Sequence, residues 1–164
     1  MQLGWNNIRM PNPSTSKRII PAVKTERSQQ DNHLKNPISR PETLVGYNIS
    51  NVLETMVDSI DDKKGLGILT LDLTQIEDAV ADYFLICHAE STTQVKAIAD
   101  HVDEKVREVT GEKPWHREGL NNLEWVLLDY VDVVVHIFHR DKRQHYNLED
   151  LWSDAVFTWH DDRA

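Results

Sequence analysis

The sequence predicts an α/β domain with α+β layering, in which four strands and two main helices share one core. Residues 125–129 and 133–138 are two apolar runs of strand length separated by a short connection. Such close spacing favours an antiparallel hairpin, because parallel strands need a crossover of a dozen or more residues. Residues 49–60 and 95–109 instead carry apolar side chains at helical spacing. Both kinds of pattern in one short chain favour a layered fold.

Three segments divide the chain. Residues 1–46 have no sustained apolar period, contain five prolines and are rich in Ser, Asn and Gln, so we expect a disordered extension. The extension is basic, which makes an organellar transit peptide conceivable, but its prolines argue against the amphipathic helix of such peptides. Residues 47–155 form the predicted domain, and residues 156–164 are expected to be a short C-terminal tail.

Within the domain, the first helix begins near Tyr47 with Asn48 or Ser50 as its cap, and Gly65 is expected to end it in the left-handed conformation. Strands at 67–73 and 82–87 follow. The second helix, capped by Ser91 or Thr92, ends at Gly111. Residues 113–123 are predicted to be a loop before the hairpin, and a terminal helix follows Asn147. The order is therefore helix, strand, strand, helix, strand, strand, helix.

Charge is distributed unevenly. Residues 1–46 carry a net charge of +4, and residues 47–164 carry −13. An acidic surface repels phosphate backbones and favours a basic protein partner, so direct nucleic-acid binding by the domain is disfavoured. The single cysteine, Cys87, fits a reducing compartment. No apolar run approaches the ~20 residues that cross a bilayer, and we expect a cytoplasmic protein with no membrane contact.

The sequence disfavours three kinds of site at which chemistry could occur. A nucleotidyltransferase needs a Gly-Ser element and paired carboxylates for Mg²⁺, but the chain has no Gly-Ser pair and no Asp-x-Asp on one strand. The histidines at 136, 139 and 145 lack metal-site spacing. Cys87 ends an apolar strand, where cysteine behaves as a small buried side chain. The sequence therefore predicts a protein that is not an enzyme and holds no cofactor or metal.

Several motifs together carry a family resemblance. They are WVLLD at 125–129, VVVHIF at 133–138, ADYFLIC at 81–87 followed by Ser91, Glu118-Gly119, and R-x-x-Y-x-LE-x-LW, which comprises Arg143, Tyr146, Leu148, Glu149, Leu151 and Trp152. In order and spacing they resemble the RsfS/Iojap family of ribosomal silencing factors. The resemblance covers roughly residues 52–155.

The resemblance implies a mixed sheet of nucleotidyltransferase-like topology and a homodimer in solution. It also implies a translation repressor that binds the large ribosomal subunit through its fourteenth ribosomal protein and blocks joining of the subunits. A role in large-subunit assembly through the same contact remains open. A divergent nucleotidyltransferase is the rival from another class, and its prediction is nucleotide and Mg²⁺ binding.

The residues expected to contact the partner are Trp125, Glu118, Asp129 and Tyr130. From the residues alone, Trp125 fits a core position as well as a binding hot spot. The resemblance favours binding, with Glu118 and Asp129 paired to Lys or Arg of the ribosomal protein. Tyr146 and Trp152 are expected to dock the terminal helix on the sheet.

One position departs from the family pattern, which has glycine between the hairpin strands where this chain has Val131. Glycine adopts positive φ without steric cost, and valine does not. We therefore expect a different turn geometry, or a turn whose twist is absorbed by Tyr130 and Asp132.

Overall fold

A computed structural model describes residues 47–160, and within them a single mixed sheet of six strands is the centre of the fold. The strands are β1 (Leu66–Asp72), β2 (Tyr83–Ala89), β3 (His116–Glu118), β4 (Trp125–Asp129), β5 (Val133–His139) and β6 (Val156–Trp159). Their order across the sheet is β3-β4-β5-β2-β1-β6. The β2–β5 pair is parallel, and the other pairs are antiparallel.

The prediction of four strands was wrong, because two short strands were missed. β3 lies in the segment predicted to be a loop, and β6 lies in the segment expected to be a tail. Strands of three and four residues are too short to show a period of two, and only their neighbours β4 and β1 make them strands. The expectations for residues 1–46 lie outside the described residues.

Four helices flank the sheet in the described part of the chain: α1 (Ile49–Asp62), α2 (Thr92–Thr110), α3 (Arg140–Tyr146) and α4 (Leu148–Leu151). Asn48 caps α1 by accepting a hydrogen bond from the Ser50 N–H. Ser91 caps α2, and Gly111 ends it at φ 76°, as predicted. Gly65 does not take the left-handed conformation after α1, and Lys64 does so instead at φ 61°.

The sheet has a core on each face. One core packs α1 and α2 against the side chains of β2, β4 and β5 that point toward these helices. Its members include Met56 of α1, Ile98 of α2 and Leu85 of β2. The other lies under residues 73–81 and the terminal helices, and its members include Phe84, Trp125, Phe138 and Trp152. Both faces of β4 and β5 are consequently buried, which explains their nearly continuous apolar sequence.

The terminal segment is fixed to the sheet by the residues of its motif. Arg143 is buried, and its Nε donates to Glu149 Oε1 at 2.8 Å. Its Nη1 donates to the Gly67 carbonyl and to His88 Nδ1. Trp152 packs edge-on against Phe84, with ring centroids 5.3 Å apart. The structural role expected for Trp152 in docking this segment is confirmed by these contacts.

Val131 itself adopts positive φ, at 76°, so the expectation of a turn that avoids this conformation was wrong. The Val131 N–H donates to Asp129 Oδ1 at 2.8 Å, and the Tyr130 N–H donates to the Val133 carbonyl at 2.8 Å. These hydrogen bonds hold the valine in a conformation that bulky residues normally avoid.

Candidate partner-binding surface

The outermost strand, β3, carries a partly exposed carboxylate and is preceded by an exposed aromatic residue. β3 pairs with β4 alone, in a register that sets Glu118 opposite Leu127 and His116 opposite Asp129. Trp115, just before the strand, is 44% exposed, and Leu120, just after it, is 38% exposed. We call the surface formed by residues 115–120 the β3 edge.

Glu118 is a partly exposed acid at the centre of this edge. Its side chain is 27% exposed, and its Oε2 lies 3.4 Å from His116 Nε2. The side chain of Arg117 points to the other face of the sheet, where it reaches α2. A carboxylate with this accessibility can pair with a cation of a partner.

Ion pairs between Arg117 and α2 hold β3 in place. Arg117 Nη1 lies 3.2 Å from Asp103 Oδ2, and Arg117 Nη2 lies 3.4 Å from Asp100 Oδ1. Asp103 is mostly buried and also accepts from Arg107 Nη2 at 2.9 Å. These pairs link the three-residue strand to α2, in addition to its ladder with β4.

Trp125 lies within the core rather than on the surface, with 3% of its area exposed. Its ring stacks on Phe138, with centroids 4.8 Å apart, and meets Tyr146 at 4.7 Å. Its Nε1–H donates to His136 Nδ1 at 3.2 Å. The buried indole of Trp125 offers almost no area to a partner. Direct contact between Trp125 and a partner therefore stays a prediction.

His136 is neutral in this arrangement, because its Nδ1 accepts the hydrogen bond from Trp125. Burial lowers the pKa of His136 to about 3. The remaining ring nitrogen, Nε2, therefore carries the proton, and no partner within residues 47–160 accepts it. This histidine is a buried packing residue of the core under Trp125 and Phe84.

Asp129 and Tyr130 are also buried, so their predicted contacts with a partner likewise stay untested. Asp129 is fully buried, and its Oδ1 holds the turn through the Val131 N–H. Tyr130 is 2% exposed and lies in the core on the helix side. Burial, and then the nearby carboxylate of Asp103, raise the pKa of Tyr130. Of the four predicted residues, Glu118 is the one with usable surface.

Sequence reasoning missed Trp115, an exposed aromatic three residues before Glu118. The signal was present: a tryptophan between Pro114 and His116 in a polar segment, with no apolar partner at strand or helix spacing. An isolated large apolar residue of this kind has no core face to join, and it is a candidate for a binding surface.

A metal site and a reactive cysteine were the other candidates for chemistry in this chain. Within residues 47–160, no group of three or more His, Cys, Asp or Glu side chains is placed to hold a metal ion. Burial raises the pKa of the Cys87 thiol to about 12, which makes it a poor nucleophile. No helix in this part of the chain is long and apolar enough to span a membrane.

Comparison with known proteins identifies the family. Residues 47–163 match the family model described as "Ribosomal silencing factor during starvation". The ribosomal silencing factor RsfS of Bacillus subtilis is 46% identical over 108 residues, which cover 66% of this chain and 90% of that protein.

Two solved structures share the fold. A crystal structure from Bacillus halodurans, 43% identical, covers 63% of this chain and 94% of its own with a TM-score of 0.56. A crystal structure from Chromobacterium violaceum is 29% identical in sequence. The match covers 71% of this chain and 98% of the other, with a TM-score of 0.62. The resemblance inferred from the motifs is thereby confirmed, and the chain belongs to the RsfS family of ribosomal silencing factors.

Proposed function

We propose that this protein represses translation without catalysis, by binding the fourteenth protein of the large ribosomal subunit and blocking joining of the small subunit. The observation that carries the proposal is the family match over residues 47–163. The acidity of this region supports a basic protein as the partner, because complementary charge steers association. The site of action would be the cytoplasm. Binding of the same protein during subunit assembly would use the same contact.

The β3 edge is the surface proposed to meet the partner. Glu118 would pair with a Lys or Arg, and Trp115 would supply apolar contact area of the kind that dominates binding energy at hot spots. Trp125, Asp129 and Tyr130 belong to the proposed site as the buried layer beneath it, since β4 and its turn set the position of β3.

Two further implications of the resemblance remain proposals. One is a homodimer, which analytical ultracentrifugation of the full chain would detect. The other is the nucleotidyltransferase-like topology. With it comes the rival function, a divergent nucleotidyltransferase that binds nucleotide and Mg²⁺. Nucleotide and Mg²⁺ should leave the melting temperature unchanged if the protein is a silencing factor alone.

The decisive experiment is co-sedimentation with purified large subunits, followed by addition of small subunits. Wild-type protein should migrate with large subunits and reduce the amount of joined ribosome. Trp115→Ala should weaken binding by roughly thirtyfold, since loss of a hot-spot aromatic costs about 2 kcal/mol. Glu118→Lys should weaken it further, because it places a cation against a basic partner.

Tyr47→Ala is the matched control, because it removes an exposed aromatic side chain that precedes α1 and belongs to neither edge of the sheet. It should bind large subunits as the wild type does. Failure of the wild-type protein to co-sediment would refute the proposed function. If Trp115→Ala and Glu118→Lys both bind normally, the function stands and the β3 edge is the wrong surface.

A further inference from the structure

β6 forms the other edge of the sheet, and within residues 47–160 no strand lies beside its outer backbone groups. The His160 N–H donates to the Ile68 carbonyl at 2.9 Å, so this pair is hydrogen-bonded. Hydrogen-bonded pairs alternate along an antiparallel ladder, and in this register they recur at Thr158 and Val156. The N–H and C=O groups of Phe157 and Trp159 therefore point away from β1.

Large apolar side chains line this edge. Val156 is 63% exposed, Trp159 55% and Phe157 37%. Leu66, at the start of β1, is 43% exposed and lines a cleft of about 490 Å³ together with Trp159. Natural edge strands are commonly protected by lysine, proline or inward-pointing charges, and β6 contains none of these. Open backbone groups beside exposed apolar side chains are what a docking strand requires.

We propose that β6 binds an extended, basic segment of a partner protein, which adds to the sheet as a seventh strand. The length of β6, four residues, limits the pairing to about 13 Å, so four or five residues of the segment would engage. On the side of Phe157 and Trp159, the segment would present apolar side chains. Its remaining side chains would reach the carboxylates around the strand.

The charge around β6 indicates lysine or arginine in that segment. Asp72 lies opposite Val156 in the register, and exposed Asp154 precedes the strand. The nearby cations do not offset this excess, because each arginine of the cleft is paired with its own carboxylate: Arg140 with Glu90, and Arg143 with Glu149.

The same charge disfavours a second copy of this chain at β6. Two copies paired about Thr158 would each bring Asp154 and a region of net charge −13 to the same edge. Like charges across paired strands destabilise the pairing. The inference is independent of the proposed function, because β6 and the β3 edge lie at opposite ends of the sheet.

The test measures fluorescence anisotropy of a labelled seven-residue peptide in which lysine alternates with valine, titrated with the full-length chain. We expect saturable binding that weakens at least tenfold when glutamate replaces each lysine. Phe157→Pro should weaken it at least tenfold as well, because proline removes an outward N–H and leaves the ladder to β1 intact. Phe157→Val is the matched control, because it also removes the aromatic ring but keeps the outward N–H. It should bind the peptide more tightly than Phe157→Pro does.

A second probe leaves the protein unchanged: the same peptide with N-methyl groups on the residues whose N–H would face β6. It should fail to bind even if Phe157→Pro does not fold. The proposal is overturned by absence of saturable binding to wild type at millimolar peptide, or by equal binding of the N-methylated peptide. It is also overturned if ultracentrifugation finds a dimer that Phe157→Pro dissociates, since a second copy would then cover the edge.

Discussion

Two tryptophans ten positions apart have opposite environments in this domain. Trp115 precedes an edge strand and is 44% exposed, whereas Trp125 begins an interior strand and is 3% exposed. Trp125 is held by an aromatic neighbour, Phe138, and by a hydrogen bond to His136. The Trp125 side chain, which was expected to bind a partner, is thus largely buried in the core, whereas the Trp115 side chain is exposed.

The buried histidine predicts a dependence of stability on pH. The pKa of His136 is lowered to about 3 in the folded state, below the ordinary value of 6.5. Between these values the unfolded chain binds a proton that the folded chain does not, so stability is full above pH 6.5 and is lost as pH falls. Between pH 7.5 and pH 5 this residue should remove about 2 kcal/mol from the free energy of unfolding.

Urea unfolding at the two pH values measures this loss in the wild type and in His136→Phe. The variant should lose less stability on acidification, by about the same 2 kcal/mol. His145→Gln, at an exposed histidine of α3, is the control and should keep the wild-type dependence. An unchanged pH dependence in His136→Phe would show that other groups cause the acid sensitivity.

Among the elements, the β4–β5 hairpin carries backbone strain in its turn that a single substitution could relieve. Val131 has φ 76°, a conformation that costs a side chain with a Cβ about 1–2 kcal/mol. Val131→Gly should therefore raise the free energy of unfolding by roughly 0.5–1 kcal/mol, after the entropy that glycine loses on folding. Urea unfolding should show a higher midpoint, with the dependence of the unfolding free energy on urea concentration unchanged.

Val131→Ala is the matched control, because alanine keeps the Cβ and hence the strain. It should give no gain in stability. If Val131→Gly and Val131→Ala have the same urea midpoint, the turn is not strained as its backbone indicates.

Short edge strands could not be predicted from the sequence, in contrast to the longer elements. The interior strands and both long helices were predictable from apolar periodicity alone, because their burial imposes it. β3 and β6 bury little, so their residues are free to be polar or exposed. Their extended conformation comes from hydrogen bonds to other strands: β3 pairs with β4, which follows after residues 119–124, and β6 pairs with β1, which lies far earlier in the chain.

For the whole molecule, charge is the property that should govern how quickly it finds its partner. The region from residue 47 onward carries a net charge of −13. The association rate constant with the isolated fourteenth large-subunit protein, the proposed partner, should fall about tenfold between 50 and 300 mM KCl, because salt screens long-range attraction. The dissociation rate constant should change less.

Biolayer interferometry at several salt concentrations measures both constants. Glu54→Gln, at an exposed acid of α1, should slow association slightly and leave dissociation unchanged. Glu118→Gln should instead speed dissociation, because it removes a contact. Association that is insensitive to salt would contradict electrostatic steering.

The sequence by itself determined the layered α/β class, the central hairpin, the two long helices and the family, because buried periodic residues and their spacing are local properties of the chain. Only the tertiary structure decided the number of strands, the positive φ of Val131 and the burial of Trp125, Asp129 and Tyr130. The physical reason is that exposure depends on what covers each face. For Trp125 the cover is Tyr146, twenty-one residues later, and for Tyr130 it is the helix-side core, which no local pattern encodes.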